Sequence, residues 1–314
     1  MKLDRGHEDI AGYFTGGRRG RLSSLVKMKV HFQKVTIIGV GLIGGSLALA
    51  IKKGGLAGAV LGIGQETDQL EQAVTRGAID TYTCEVSEGV EGADLVVLAT
   101  PVGMFEPILR QVASKLPLGC IVTDVGSTKG RLVSQIEQML PKTVFYVGGH
   151  PIAGKEKSGI ESASMDLFRG ARCILTPTPH TDAQALEKVK RLWREVGSEV
   201  VMMEPMEHDR VFAAVSHLPH MAAYALVNTA MDLLNQDTDL LSFSAGGFKD
   251  FTRIAASSPE MWRDICLFNG ENILTTIEAY EAVLKRIKEY IRNHNGRGLY
   301  LEFERAKKLR EGIS

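Results

Sequence analysis

The residue in this sequence best suited to acid–base chemistry is a histidine that follows a pair of glycines. His150 comes directly after those glycines and the apolar segment 144–147. Because imidazole titrates near neutrality, it is suited to accept a proton from a hydroxyl while a hydride leaves the same carbon. The position predicts a catalytic base just past the end of a buried strand. Ser127 or Thr128, in a second polar segment, is expected to orient that imidazole or to bind the same hydroxyl.

A second chemical signal is a glycine pattern between a strand-like run and a helix-like run. Gly39, Gly41 and Gly44 have the spacing G-x-G-x-x-G. The first glycine permits a tight turn, the second leaves room for a pyrophosphate, and the third lets helix and strand pack closely. The helix begins near Leu42 and Ile43, and the free backbone N–H groups of this first turn are expected to face the phosphates. The pattern predicts a dinucleotide site.

The choice of dinucleotide depends on the end of the second strand. NAD-selective sites usually place Asp or Glu there, but this strand ends with glycine followed by Gln65, and Glu66 comes one residue later. No Arg or Lys follows to attract a 2′-phosphate. The prediction is therefore NAD or NADP, with NAD favoured. Thr100 and Pro101, after a later strand, are expected to flank the nicotinamide ribose.

The elements that must position these groups alternate between strand and helix. Apolar runs of strand length cover residues 35–40, 59–63, 94–100, 120–125, 144–147, 173–176 and 199–203. Most are separated by segments with the apolar spacing of amphipathic helices. This alternation predicts an α/β fold with a Rossmann-type, doubly wound, mostly parallel sheet.

Strand signals stop after about residue 205, and an all-helical dimerisation domain is expected to follow. We predict helices over 207–235, with a break at Pro219, and over 270–293. The second helix has apolar residues spaced 4, 3, 4, 3 and 4 apart, which favours packing either within the domain or against a second subunit in a homodimer. They are Ile273, Ile277, Tyr280, Leu284, Ile287 and Ile291. The expected division is a disordered extension over 1–30, a dinucleotide-binding domain over 31–205 and a helical substrate and dimerisation domain over 206–314.

Composition excludes several classes of partner. The 314 residues carry 37 Lys and Arg against 37 Asp and Glu, whereas nucleic-acid and anionic-membrane partners select a basic surface. No apolar run approaches the roughly 18 residues of a membrane span. The four cysteines form no C-x-x-C pair, and no metal site is predicted. These observations predict a soluble, globular protein of the cytoplasm.

The helical part contributes its own polar residues. Arg253, in a glycine-flanked segment that begins near Gly246, is suited to bind a carboxylate through two hydrogen bonds. His217 and His220 lie three residues apart and share one side of a predicted helix.

Five segments together resemble the prephenate dehydrogenase family, which includes arogenate and cyclohexadienyl dehydrogenases. They read VTIIGVGLIGGSLA, DVGSTKG, GGHPIAGKEKSG, SHLPH and GGFKDFTRIA, and the resemblance covers about residues 33–295. It implies oxidative decarboxylation of prephenate to 4-hydroxyphenylpyruvate with NAD(P)+, a step of tyrosine biosynthesis.

The resemblance also implies roles for individual residues. It makes His150 the hydrogen-bond acceptor for the ring hydroxyl, Ser127 its partner and Arg253 the anchor for a substrate carboxylate. The remaining residues that it places around the substrate are His217, His220, Glu156 near the entrance, Gly246, and Trp262 at a position that approaches the partner subunit's site.

Three other readings stay open at this point. Arogenate carries an amine where prephenate carries a ketone, and Lys155 beside the histidine segment would disfavour that ammonium. A β-hydroxyacid dehydrogenase or imine reductase shares the domain plan. Such an enzyme, however, is expected to place a lysine on the helical part and not a histidine at the end of a strand. A nucleotide-sensing regulator without turnover would need neither His150 nor Arg253.

Overall fold

The computed structural model describes residues 32–154, 158–233 and 244–312, in which eight strands form one sheet. The strands are β1 Phe32–Ile38, β2 Ala57–Ile63, β3 Thr81–Thr83, β4 Leu95–Leu98, β5 Ile121–Asp124, β6 Phe145–Pro151, β7 Arg172–Thr176 and β8 Glu199–Met202. Their order is β3-β2-β1-β4-β5-β6-β7-β8, and the first six are parallel, as in a Rossmann fold. Strand β7 is antiparallel to β6 and parallel to β8. The predicted mostly parallel sheet is confirmed; the predicted extension over 1–30 lies outside the described residues.

Both faces of the sheet are buried, which explains the continuous apolar strands. In β4, Leu95 and Val97 belong to one buried cluster, whereas Val96 and Leu98 belong to another. Successive side chains of a strand point to opposite faces, so each cluster fills one face of the sheet.

Helices cover the faces of the sheet and form the rest of the described chain. They are α1 Leu42–Gly54, α2 Thr67–Thr75, α3 Val86–Gly89, α4 Phe105–Val112, α5 Gly130–Met139, α6 Ala183–Glu195, α7 Pro205–Phe212, α8 Leu218–Leu233, α9 Gly246–Thr252, α10 Pro259–Phe268, α11 Gly270–Arg292 and α12 Gly296–Glu311. All described elements after β8 are helical, which confirms the predicted helical domain. None of these helices is long and apolar enough to cross a membrane.

The structure differs from the sequence predictions in two strands. The three-residue strand β3 was not predicted, because it is short and reads Thr-Tyr-Thr. Strand β6 extends to Pro151, so His150 lies within the strand. The sequence had predicted a position just past its end. The extension comes from antiparallel pairing with β7, in which His150 lies opposite Ile174. The two glycines before His150 concealed this extension.

The predicted break in the helix over 207–235 also lies elsewhere. Residues Ala213–His217 form a π-helical turn between α7 and α8, in which the N–H of Leu218 donates to the carbonyl of Ala213. Pro219 then occupies the first turn of α8. Proline lacks an N–H and its ring clashes with the carbonyl four residues earlier. We infer that the wider turn upstream accommodates this ring, so the irregularity precedes the proline.

The apolar seam of α11 has two different environments. Ile273, at the beginning of the helix, is buried against Trp262 and Ile265 of α10. Leu284 and Ile291, further along, are 47% and 60% exposed in the single chain. The seam therefore packs within its own domain at one end and presents an uncovered apolar face at the other.

Candidate active site

Two of the three fingerprint glycines are required by close packing. Gly39 has a φ of 98°, which favours glycine, and a Cβ there would lie 2.7 Å from the Ala99 carbonyl. A Cβ on Gly44 would lie 2.1 Å from the Gly39 carbonyl oxygen. These glycines let β1, α1 and the segment after β4 approach one another.

The third glycine faces open space. Apart from Gly41 and the residues next to it in the chain, no atom of the described residues lies within 4 Å of the position that a Cβ on Gly41 would occupy. Gly41 is the N-cap of α1, and no side chain caps the amides of the first turn. Such amides favour an anion. This cradle, with buried Leu42 and half-buried Ile43 behind it, fits a pyrophosphate.

The other predicted cofactor residues lie at the same edge of the sheet. Strands β1, β2 and β4 are adjacent and parallel, so the residues that follow them meet at one edge. Gln65 after β2 is exposed, Thr100 after β4 is half-buried and Pro101 is exposed. The structure brings these positions together; their contacts with a cofactor remain predictions.

We expect Gly44→Ala to lower stability and Gly41→Ala to weaken NAD+ binding. The Gly44 methyl would overlap backbone, so Gly44→Ala should lower the free energy of unfolding by about 1–3 kcal/mol. The Gly41 methyl would meet no described atom beyond the neighbouring residues of the chain, so Gly41→Ala should keep normal stability yet bind NAD+ more weakly. Thermal unfolding and NAD+ titration by calorimetry separate the two effects. Unchanged NAD+ affinity in Gly41→Ala would argue against this cradle as the pyrophosphate site.

A buried ion pair shapes the loop between β5 and α5. Lys129 Nζ lies 2.6 Å from Asp124 Oδ2, and both side chains are fully buried. The ammonium also donates to the carbonyls of Gly126 at 2.7 Å and Thr128 at 3.0 Å. The loop therefore wraps around the lysine and holds Ser127, which is half-buried, at the edge of the sheet.

The same carboxylate fixes the strand that carries the histidine. Asp124 Oδ1 accepts from the Tyr146 hydroxyl at 2.8 Å and from the Gly149 N–H at 3.1 Å, both in β6. Burial, reinforced by the negative charge of Asp124, raises the pKa of Tyr146 well above its ordinary value. The tyrosine therefore stays protonated and acts as a donor.

His150 is buried next to a second histidine from the helical part of the chain. Its Nδ1 lies 2.8 Å from Nε2 of His208, whose Nδ1 lies 2.8 Å from Oδ1 of Asp209. Both residues belong to α7. The ring of Phe212 packs against His150 and His208, with centroids 4.9 and 4.4 Å away.

Burial keeps this pair of imidazoles neutral. Desolvation, followed by the charges of His208, Lys129 and His217, holds the pKa of His150 well below its ordinary value of 6.5. Desolvation also lowers the pKa of His208, although the hydrogen bond with Asp209 opposes the shift. A neutral imidazole has one acceptor nitrogen, as a general base requires.

His217, His220 and Trp262 form one wall of the helical part. The indole of Trp262 stacks on His220 with centroids 3.9 Å apart and meets His217 edge-on at 5.8 Å. Burial lowers the pKa of His217 to about 4, and the charge of Asp209, followed by the adjoining backbone of Ser127, opposes that shift. The loop that carries Ser127 therefore borders this wall. Trp262 is 6% exposed and packs on histidines of its own chain; an approach to a partner's site stays a prediction.

Arg253 opens a short 3-10 turn, Arg253–Ala256, directly after α9, which begins at Gly246. The arginine is exposed, and its turn is tied to α8 where the Tyr224 hydroxyl donates to the Ser257 carbonyl at 2.9 Å. Because α8 also carries His220, the predicted carboxylate anchor and the aromatic wall share one support. Glu156 lies outside the described residues, as does Lys155.

The sequence analysis did not identify His208, Asp209 or Asn269. His208 is 58 residues from His150, so no local spacing links them. Asn269 donates to the Asp209 carbonyl at 2.8 Å and bonds to His217 Nδ1 at 3.1 Å, which joins both histidine groups. The adjacent His-Asp pair near the start of a helix was the available signal. Within the described ranges, no group of three or more His, Cys, Asp or Glu side chains is placed to hold a metal ion.

Comparison with known proteins identifies the family. Residues 47–202 match the nucleotide-binding domain of prephenate dehydrogenase, and residues 204–305 match its dimerization domain. Prephenate dehydrogenase of Bacillus subtilis is 40% identical over 280 residues, which are 89% of this chain and 76% of that protein. Cyclohexadienyl dehydrogenase of Zymomonas mobilis is 34% identical, over 89% of this chain and 95% of that protein.

A solved structure gives the same result. The crystal structure of prephenate dehydrogenase from A. aeolicus in complex with hydroxyphenyl propionate and NAD+ superimposes with a TM-score of 0.84 and 42% identity, and the match covers 90% of this chain and 98% of that one. The resemblance inferred from the motifs is therefore confirmed, and this chain belongs to the prephenate dehydrogenase family.

Proposed function

We propose that this protein is a homodimeric prephenate dehydrogenase that converts prephenate and NAD+ to 4-hydroxyphenylpyruvate, CO2 and NADH. The observation that carries the proposal is the placement of His150, a buried neutral imidazole on the strand beside the Ser127 loop, in a member of this family. We place the enzyme in the cytoplasm, where its dinucleotide is available. The division into two domains near residue 205 is part of the proposal and is supported by the end of β8 at Met202 and the start of α7 at Pro205.

In the proposed reaction, NAD+ and three residues of the chain have separate roles. When bound, NAD+ accepts the hydride that leaves the hydroxyl-bearing ring carbon. His150 accepts a hydrogen bond from that hydroxyl as positive charge develops on the carbon. Loss of CO2 leaves its bonding electron pair in the ring, which becomes aromatic, and any proton that His150 has drawn from the hydroxyl returns to the phenol oxygen of the product. In this proposal, Ser127 orients the hydroxyl and Arg253 holds a carboxylate.

The edge of the sheet favours NAD over NADP. Exposed Gln65 follows β2, and Glu66 is the N-cap of α2, with a carboxylate that accepts from Gln69 Nε2 at 2.7 Å. A carboxylate here accepts hydrogen bonds from ribose hydroxyls and repels a 2′-phosphate. We therefore propose NAD+ as the preferred cofactor.

The dimer is supported by the helical part. Its match to the family's dimerization domain agrees with the apolar side chains of α11 and α12 that a single chain leaves exposed. Among them, Leu284 on α11 and Leu301 and Phe303 on α12 are 47%, 52% and 57% exposed. A partner subunit would remove this apolar area from water.

A second candidate is a cyclohexadienyl dehydrogenase that also accepts arogenate. The observation that favours it is the similarity to the Zymomonas mobilis enzyme of that name over nearly the whole of both chains. Steady-state production of NADH and NADPH with prephenate and arogenate, measured in parallel, decides both questions. Turnover of neither substrate would contradict the proposed function.

We expect Arg253→Gln to raise the KM for prephenate about 10- to 100-fold, with a smaller effect on kcat. The reason is the loss of charge-assisted hydrogen bonds to a carboxylate, each worth about 1.5–3 kcal/mol. Initial rates at saturating NAD+ give both constants, and a melting curve checks the fold. Arg253→Lys is the matched control: it keeps the charge but not the planar fork, and should give an intermediate KM. An unchanged KM in Arg253→Gln would show that another group binds the carboxylate.

A further inference from the structure

We propose that His208 and Asp209 are positioning residues, which hold the proton of His150 on Nδ1 so that Nε2 is the acceptor for the substrate hydroxyl. The inference rests on the proposed role of His150 and extends it. It assigns a function to two residues of α7, in the helical part of the chain, that contact strand β6 and the beginning of α5.

The carboxylate of Asp209 sets the direction of the chain of hydrogen bonds. Its Oδ1 accepts from the backbone N–H of Lys129 at 2.7 Å, and its Oδ2 accepts from that of Gly130 at 2.8 Å. Both oxygens therefore already act as acceptors at the beginning of α5. An ionised carboxylate has no proton to donate, so Nδ1 of His208, 2.8 Å from Oδ1, must be the donor.

The direction then passes through His208 to His150. A neutral imidazole has one donor nitrogen and one acceptor nitrogen. With its proton on Nδ1, His208 presents Nε2 as an acceptor, so Nδ1 of His150 must donate across the 2.8 Å contact. The remaining ring nitrogen of His150, Nε2, then carries the lone pair.

Packing disfavours the alternative arrangement, in which His208 carries its proton on Nε2 and His150 Nδ1 accepts from it. His208 is fully buried and Asp209 is 2% exposed, so water does not replace either partner. Phe212 packs on both imidazoles and limits ring rotation. Asn269 binds the backbone carbonyl of Asp209 at 2.8 Å and so fixes α7 beside the site. Burial of both rings, which lowers both pKa values, keeps each ring in the neutral form that this argument requires.

The direct test reads the protonated nitrogen of His150 without using activity. Nitrogen-15 NMR of the histidine-labelled full-length enzyme at pH 7.5 distinguishes the two neutral tautomers, and the signal is assigned by its loss in His150→Asn. We expect the proton on Nδ1. A proton on Nε2 would overturn the proposal. We expect Asp209→Ala, which removes the acceptor for His208 Nδ1, to release His208 and raise the population of His150 with its proton on Nε2; a proton that stays wholly on Nδ1 would remove Asp209 from the chain.

A matched pair at position 208 tests the consequence for turnover. His208→Phe keeps a ring beside Phe212 but removes the acceptor, and we expect kcat to fall about 10- to 100-fold while the KM values stay within about twofold. His208→Gln offers a side-chain carbonyl in place of Nε2 and should restore most of that loss. Equal kcat values in both variants and the unaltered enzyme would contradict the proposal.

These measurements separate the inference from the function on which it rests. If the unaltered enzyme oxidises neither prephenate nor arogenate, the proposed function fails, and the NMR measurement still reports the tautomer of His150. If it oxidises prephenate but carries the His150 proton on Nε2, the function stands and the positioning chain fails.

Discussion

His150→Asn should lower kcat for prephenate oxidation about 10²–10⁴-fold, the usual contribution of one general acid–base group. Asparagine keeps a polar side chain of moderate size but offers no basic nitrogen to the ring hydroxyl. Because His150 lies in β6 and not in the glycine-rich turn after β1, NAD+ affinity should remain near normal. Steady-state kinetics and NAD+ titration measure the two effects.

His180→Asn is the matched control, since His180 is exposed on the surface and should tolerate the change without loss of rate. A His150→Asn enzyme that retains more than about a tenth of the original kcat would remove His150 from the mechanism, because the expected loss is at least 10²-fold. A normal melting curve is required of both variants.

The pH dependence follows from the same residue. His150 is active as a base when neutral, and burial holds its pKa well below 6.5. We therefore expect kcat/KM to stay level as the pH falls towards 6.5 and to decrease only at lower pH, when the imidazole becomes protonated. The acid limb should be absent from the residual activity of His150→Asn. A limb centred above pH 6.5 in the free enzyme would contradict the buried environment of His150.

The mostly parallel sheet was predictable because local signals mark most of its strands. Buried parallel strands read as continuous apolar runs, and the glycine fingerprint marks the first βα unit. The strand β3 escaped prediction because three residues with two threonines carry too little apolar pattern. The end of β6 escaped because glycines hid a strand that a partner, β7, stabilises from 22 or more residues away.

The candidate site was predictable only for residues with a local context. His150, Ser127 and Arg253 each lie in a short polar segment that interrupts an apolar pattern or follows glycines. The contacts around His150 form between residues far apart in sequence: His208 contacts His150 over 58 positions, and Asn269 contacts Asp209 over 60. A single sequence does not encode these pairings as spacing, because they depend on how α7 and α10 pack on the sheet.

The burial of Lys129 also could not be predicted from the sequence, because lysine is a residue type that is rarely buried. Lys129 is 0% exposed, although a charged residue after a strand is expected to face water. Its burial is possible because Asp124 and two backbone carbonyls, those of Gly126 and Thr128, accept from its ammonium. The sequence shows the lysine in the loop, but the acceptors become apparent only when the loop closes around it.

We expect Lys129→Met to lower the free energy of unfolding by about 3–5 kcal/mol, the usual effect of removing one partner of a buried ion pair. Methionine fills a similar volume but leaves the Asp124 carboxylate and two loop carbonyls without their cation. Urea unfolding monitored by circular dichroism gives the change, provided that the m-value stays constant. Arg110→Met is the matched control, because Arg110 forms an ion pair with Glu106 while 70% exposed, and such pairs contribute about 0–1 kcal/mol.

The same substitution should also impair catalysis, which links the ion pair to the site. Asp124 holds the N–H of Gly149 next to His150, and the lysine holds the loop that carries Ser127. At a temperature where Lys129→Met is still folded, we therefore expect a lower kcat. A loss of stability below about 1 kcal/mol would contradict the structural role, since it would place this buried pair among surface pairs. If the free energy of unfolding falls by the expected amount but kcat is unchanged, Asp124 positions β6 and the Ser127 loop without its lysine.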